Sequence, residues 1–168
     1  TLTFASTNSS SSDRLLFTGA TGLLTGAGTV DLTDAGSEMT ASLAGNSFTI
    51  DDQMTVVGGT FSTIGSANTS FVNRGTIRAN AGTMTLTGTN WVNEGVVEAA
   101  GGTVNLAGTV QSEDLGTVLN TAGTVRLSGT LENTGRVWDL GRGGNQRDLT
   151  IQSGRVNGGE IASSTAAE

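Results

Sequence analysis

The sequence is dominated by a short phrase that returns at nearly regular intervals. The phrase is Asn or Asp, any residue, Gly, any residue, then Ile or Val. Its copies begin at Asn73, Asn93, Asp114, Asn133 and Asn157. Two other phrases, Gly-Thr-apolar-x-Leu and Gly-Thr, fall between successive copies. A sequence that repeats itself about every twenty residues indicates a stacked array of coils, each with three short strands.

The amino-acid composition is suited to a solenoid, in which each coil encloses only a thin core. The 168 residues include 26 Gly, no Pro, no Cys and no His, and only 35% are hydrophobic. A coil of a solenoid contacts only its neighbours, so such a chain needs no thick layered core. The net charge of −7 disfavours nucleic acid and anionic membrane surfaces as partners. No apolar run approaches the ~18 residues of a membrane helix, so we expect no membrane insertion.

Alternation of apolar and polar residues predicts which side chains point inward. The first strand of each coil contributes one inward column: Val56, Ile77, Val97, Val118, Val137 and Ile161. The second strand contributes two: Phe61, Met84, Val104, Val125 and Leu149, then Leu86, Leu106, Leu127 and Ile151. A slip of one residue would turn every one of these side chains outward, so the pattern determines the register.

The five copies of the first phrase predict a corner ladder. In parallel coils, like residues stack on like, so Asn73, Asn93, Asn133 and Asn157 would bond along the axis, with Asp114 as an interruption. Charges also match between neighbouring coils, Arg74 with Glu94 and Arg78 with Glu98. We predict these as exposed ion pairs.

These patterns divide the chain into three parts. Residues 26–161 are predicted to form an all-β parallel β-solenoid of roughly seven coils, each about twenty to twenty-one residues long. Residues 1–25 are predicted to be an atypical N-terminal segment or cap, and residues 162–168 a polar tail. Because the chain begins at Thr1, we expect a processed mature chain or an excised piece.

The repeats resemble those of a known class of proteins. Residues 52–161, and more loosely 26–51, are similar to the right-handed parallel β-helices of secreted bacterial surface proteins. Autotransporter passengers and filamentous-haemagglutinin-type adhesins are the nearest comparison. Left-handed hexapeptide helices fit less well, because twenty or twenty-one is not a multiple of six. The resemblance implies a right-handed coil, a location at the bacterial cell surface and a non-catalytic role as a stalk, adhesin or filament segment.

Polysaccharide lyases share this architecture, so an enzyme is the alternative. Acid–base chemistry needs clustered carboxylates with a cationic group nearby, whereas this chain has neither Lys nor His. Its best cluster is Asp139 and Asp148 with Arg142 and Arg147, which we interpret as a solvated loop with local ion pairs. The glycine-rich residues 143–148 match a calcium-binding repeat only in part. We therefore expect no enzyme activity, no cofactor and no dedicated metal site.

Passive binding of glycan or ice remains a further alternative. Glycan contact favours exposed aromatic rings, and Trp138, next to inward Val137, is predicted to face solvent, with Arg142 and Arg147 nearby. Ice binding needs outward Thr-x-Thr on successive coils. The sequence has Thr83-x-Thr85 once only, because the next coils place Asn and Arg at the second position.

The charge is divided along the axis. Residues 1–72 carry six acids and one Arg, a net −5, while residues 126–155 carry five Arg and three acids, a net +2. Either coils of successive copies or of flanking segments continue the stack end to end, or the division is accidental in a fragment of a longer helix. The sequence leaves both interpretations open.

Overall fold

The computed structural model describes residues 1–3, 13–139 and 149–162. These residues form a parallel β-solenoid of about six turns, with one 3-10 helix at Ser112–Leu115. Every strand pairing among them is parallel. The fold class predicted from the repeats is therefore confirmed, with about six turns in place of the roughly seven coils predicted.

Two long sheets run along the axis. Sheet A consists of β1 (Leu2–Thr3), β4 (Gly28–Leu32), β7 (Met54–Gly58), β10 (Thr76–Ala79), β13 (Val96–Ala99) and β16 (Thr117–Asn120). Sheet B consists of β2 (Arg14–Phe17), β5 (Glu38–Ala41), β8 (Ser62–Ile64), β11 (Thr83–Leu86), β14 (Thr103–Leu106), β17 (Thr124–Leu127) and β20 (Leu149–Ile151). Consecutive strands of one sheet lie a full turn apart in the sequence.

The third face is divided. Sheet C consists of β3 (Thr21–Leu24), β6 (Ser47–Ile50), β9 (Ser70–Asn73) and β12 (Val92–Asn93). Sheet D consists of β15 (Thr109–Gln111), β18 (Thr130–Glu132) and β21 (Arg155–Asn157) and continues this face. Sheet E consists of β19 (Val137–Asp139) and β22 (Glu160–Ala162), which follow sheet D strands in the chain and so continue the face of sheet A. The 3-10 helix follows β15, at the point where sheet C has ended and sheet D has begun.

The register stacks like residues on like through the middle of the solenoid. In sheet A, Ile77 pairs with Val97 and Val97 with Val118. In sheet B the corresponding columns are Met84, Val104 and Val125, and Leu86, Leu106 and Leu127. All nine side chains are at most 3% exposed, at the inward positions that the alternation predicts. Polar residues alternate with them on the outer faces, as expected of half-buried strands.

The first turn lies within residues 1–25. Strands β1, β2 and β3 pair with β4, β5 and β6, so they extend all three faces. The sequence did not indicate this turn, because the glycine-threonine phrases are missing from it. The predicted polar tail overlaps β22 by one residue at Ala162, and residues 163–168 lie outside the described part.

Candidate functional surfaces

Asn73 and Asn93 form one step of the predicted corner ladder. Nδ2 of Asn73 donates to Oδ1 of Asn93 at 2.7 Å, and both side chains are buried. Nδ2 of Asn93 donates in turn to the carbonyl oxygens of Leu115 and Thr117 at 2.8 and 3.0 Å. These bonds satisfy both Nδ2 groups and tie three successive turns together at one corner, while Oδ1 of Asn73 has no hydrogen-bond partner among the described residues.

The glycine two residues after each of these asparagines is needed for close approach of the backbone. A Cβ atom on Gly75 would lie 2.2 Å from the carbonyl oxygen of Met54. A Cβ atom on Gly95 would lie 2.2 Å from the carbonyl oxygen of Gly75. Any side chain at either position would push adjacent turns apart. The Asn-x-Gly phrase thus combines a bonding amide with a corner where one backbone lies directly on another.

The ladder does not reach Asp114, the position at which the sequence predicts an interruption. Asp114 belongs to the 3-10 helix and is only half-buried, while Asn93 bonds to the carbonyl oxygen of its neighbour Leu115 instead. The helix changes the path of this corner and moves the carboxylate out of line. Burial, followed by the nearby charge of Glu113, raises the pKa of Asp114, and Arg136 opposes the shift.

Asn133 and Asn157 do not continue the ladder to each other. Oδ1 of Asn133 accepts from Oγ of Ser112 at 2.8 Å, and its Nδ2 donates to the carbonyl oxygen of Glu160 at 3.0 Å. Asn157 is in register with Glu132, and its Nδ2 donates to Oε1 of that carboxylate at 2.8 Å. The prediction of an Asn133–Asn157 step fails because the register is shifted by one residue here.

Ion pairs on the outer faces agree with the charge matching. Arg74 Nε lies 2.9 Å from Glu94 Oε2, and Arg78 Nε lies 3.4 Å from Glu98 Oε2. The hydrogen bond from Arg74 to Glu94 raises the pKa of Arg74. The pairs Arg14–Glu38 and Arg136–Glu113 were not predicted from the sequence. All four involve exposed arginines, so each adds only about 0.2–1 kcal/mol to stability.

A column of stacked aromatic rings runs through the N-terminal half, and the sequence did not reveal it. The rings of Phe17, Phe48, Phe71 and Trp91 are stacked with centroid separations of 4.9, 5.6 and 5.4 Å. Trp91 ends the column and donates from Nε1 to the carbonyl oxygen of Ala107 at 3.1 Å. Phe71 and Trp91 each stand two residues before a corner asparagine, which is the signal that could have located them.

The side chains of Trp138 and Val137 have the reverse of their predicted orientations. Trp138 is 6% exposed and pairs with Ile161, whereas Val137 is 60% exposed and pairs with Glu160. The turn after Asn133 is one residue longer than the corresponding turns in earlier coils, which reverses the alternation. Trp138 is therefore a core residue and not an exposed contact. Arg142 and Arg147, the other predicted contacts, lie outside the described residues, as do Asp148 and the partial calcium-binding repeat.

Phe61 is the exposed aromatic residue that the prediction placed in the core. Its side chain is 71% exposed, and its backbone has a φ of +57°, in the left-handed region. Ser62 takes the predicted inward position and pairs with Met84. The left-handed residue immediately before β8 shifts the alternation by one, which explains the error.

Both ends of the described stack present apolar side chains on inward columns. Leu2, Leu15 and Leu24 continue the columns of Val30, Met39 and Ile50 at the N-terminal end. Ile151, Val156 and Ile161 close three columns at the C-terminal end, and the two isoleucines are each 50% exposed. Within the described residues, no strand pairs with the outer edges of β1, β2 and β3 or of β20, β21 and β22.

The described surface also includes an open groove of about 310 Å³, beside the turns that lead into sheet C. Its lining residues are Ala44, Gly45, Asn68, Thr69, Ser70 and Thr89, none of which is titratable. Over the described ranges, no group of three or more acidic side chains is arranged to hold a metal ion. No helix there has the length and hydrophobicity to cross a membrane.

No protein-family model, curated protein or solved structure matches this chain. The geometry itself must therefore support any functional assignment.

Proposed function

We propose that this chain is a non-catalytic structural rod of a bacterial extracellular surface protein, whose coils continue end to end. The observation that carries the proposal is that apolar columns run through the described part of the solenoid and reach exposed or half-buried side chains at both of its ends. A solenoid with open ends must cap them or pair them, because exposed strand edges and apolar columns favour association. Continuation by a second copy or by flanking coils of a longer chain satisfies both requirements.

The cell-surface location rests on the resemblance of the repeats. The mechanical role rests on the packing. Bonds between turns occur at the corners as well as within the sheets, for example from the amide of Glu94 to the carbonyl of Asn73 at 2.7 Å. A stack bonded at faces and corners resists bending, which suits a stalk, a spacer or a filament.

End-to-end association of copies is tested by sedimentation velocity at low and high salt over a wide range of protein concentration. We expect rod-shaped species that lengthen with concentration. The double substitution Ile151→Arg with Ile161→Arg should abolish this growth, because it places charges on the terminal columns. Leu43→Arg is the control, since Leu43 is 64% exposed in a lateral turn between β5 and β6. A strictly monomeric parent chain at high concentration and low salt would contradict self-stacking.

The non-catalytic part of the proposal is tested separately. Incubation with soluble polysaccharides should leave their chain length unchanged. Release of shortened products by the parent chain would favour the lyase-like alternative.

A further inference from the structure

Phe61 is held outside the core by an arrangement that carries several energetic costs. A residue other than Gly in a sparsely populated backbone region costs of the order of 1–3 kcal/mol. The adjacent Ser62 is 1% exposed, and its hydroxyl has no hydrogen-bond partner among the described residues. An unsatisfied buried hydroxyl costs roughly another 1–3 kcal/mol. The large apolar ring, meanwhile, remains in water.

The packing explains how this arrangement persists. Met84 fills the inward space beside Ser62 and Gly58. A Cβ atom on Gly58 would lie 2.3 Å from Cε of Met84 and 2.5 Å from Oγ of Ser62. A ring in place of the serine would compete with Met84 for that volume. The packing accounts for the small residue inside but gives no reason for a phenylalanine outside, where a polar residue would suffice.

The outer face beside Phe61 offers hydrogen-bonding groups in a row. Thr63, two residues beyond Phe61, is in register with Thr85, and Thr85 is in register with Asn105. Asn105 is followed in the row by Arg126. Within the described residues, Thr85, Asn105 and Arg126 make no side-chain hydrogen bond or ion pair. Adjacent strands of a sheet are about 4.8 Å apart, so the row from Thr63 to Arg126 spans about 14 Å along the axis.

We infer that Phe61 and the row Thr63, Thr85, Asn105 and Arg126 form a binding surface for a linear, uncharged polysaccharide lying along the solenoid axis. An exposed ring packs against the C–H face of a sugar, and hydroxyl, amide and guanidinium groups bond to sugar hydroxyls. The net charge of −7 disfavours a polyanion, so an uncharged glycan fits this surface better than an acidic one. This surface is lateral, so it is independent of the proposed stacking at the ends.

The test is affinity gel electrophoresis of the whole chain in gels containing hydroxyethyl cellulose, xylan or glucomannan. At least one polysaccharide should retard the parent chain. Phe61→Asn should weaken that binding at least tenfold, and Asn105→Ala and Arg126→Ala should each weaken it several-fold. Phe61→Asn should keep the thermal midpoint of the parent or raise it, because Asn tolerates a left-handed backbone. This result would separate lost binding from lost folding.

Leu43→Asn is the matched control, because it removes an exposed apolar side chain of a different turn. It should leave the retardation unchanged. Two results would overturn the inference: no retardation of the parent chain in any of the three gels, or equal retardation of the parent chain and Phe61→Asn.

Discussion

The ring of Phe17 occupies the space that a side chain on Gly22 would need. A Cβ atom on Gly22 would lie 2.4 Å from Cδ1 of Phe17, and Gly22 is itself in register with Phe48. Phe17, the last residue of β2, therefore stacks on Phe48 in the place that a side chain at position 22 of β3 would otherwise take. The glycine and the phenylalanine together give the first turn its place in the aromatic column.

Gly22→Ala should destabilise the chain by about 1–3 kcal/mol, because the added methyl group forces Phe17 off Phe48. Gly28→Ala is the control: its Cβ atom would have its nearest contact at 3.8 Å, to Cε of Met54. That substitution should be neutral or slightly stabilising, since it lowers the entropy of the unfolded chain. Urea unfolding measures the free energy of unfolding of both variants. Equal free energies of unfolding for the two variants would contradict the role of Phe17.

The corner asparagines should contribute unequally to the free energy of unfolding, because their side chains make different numbers of hydrogen bonds. Asn93→Leu removes the acceptor of Asn73 and a donor to two carbonyl groups, so it should cost about 2–4 kcal/mol of unfolding free energy. Asn157→Leu removes one bond to Glu132 at a half-buried site and should cost less than about 1 kcal/mol. A ladder that continued uniformly from Asn73 to Asn157 would require similar losses at both positions. Similar losses measured by urea unfolding would therefore favour that ladder over the register described above.

Neutralising Asp114 should stabilise the chain only where the carboxyl group is charged. A carboxyl group whose pKa is raised on folding destabilises the folded state at pH values above that pKa. The penalty disappears as the pH falls below the ordinary value of about 3.8. Asp114→Asn should thus raise the thermal midpoint at about pH 7, and the difference should vanish near pH 3.

The control for Asp114 is Asp52→Asn, which removes an exposed carboxylate in another turn. At about pH 7 it should change the thermal midpoint by less than Asp114→Asn does, because substitutions of exposed side chains usually have small effects. If the gain from Asp114→Asn were equal at both pH values, it would come from new ladder bonds and not from the removed charge.

Trp138 and Val137 should respond to truncation in the order of their burial. Trp138→Ala should cost about 3 kcal/mol, near the lower end for a buried aromatic residue, because it lies in the two-stranded sheet E. Val137→Ala, at an exposed position, should stay within about 0.5 kcal/mol of the parent chain. Thermal unfolding of both variants checks the assignment. A larger loss at Val137 would restore the orientation that simple alternation predicts.

The sequence was sufficient where successive coils have nearly equal length. Met84, Val104 and Val125 recur at an almost constant spacing, and nothing between them resets the alternation. The predictions fail where a local backbone feature changes the path. A left-handed residue precedes β8, a 3-10 helix includes Asp114, and a longer turn follows Asn133. None of these has a periodic signature, because each depends on contacts with adjacent turns.

The candidate binding surface was missed for the same reason. Alternation predicts Phe61 inside and Trp138 outside, whereas Phe61 is 71% exposed and Trp138 is 6% exposed. The aromatic column was hidden because Phe17 and Phe48 are separated by more than one regular coil and come from different sheets. The ion pairs of Arg74 and Arg78 were predictable, because both partners lie in regular, adjacent coils.

The most direct measurement of in-register parallel stacking uses paired cysteines, since the chain has none of its own. Thr85 and Asn105 are outward neighbours on adjacent strands, about 4.8 Å apart, within the range that a disulfide spans. Thr85→Cys with Asn105→Cys should form a disulfide within one chain, identified by peptide mass spectrometry. Thr85→Cys with Arg126→Cys, two strands apart and beyond reach, should not. Cross-linking of the second pair and not the first would contradict the solenoid register.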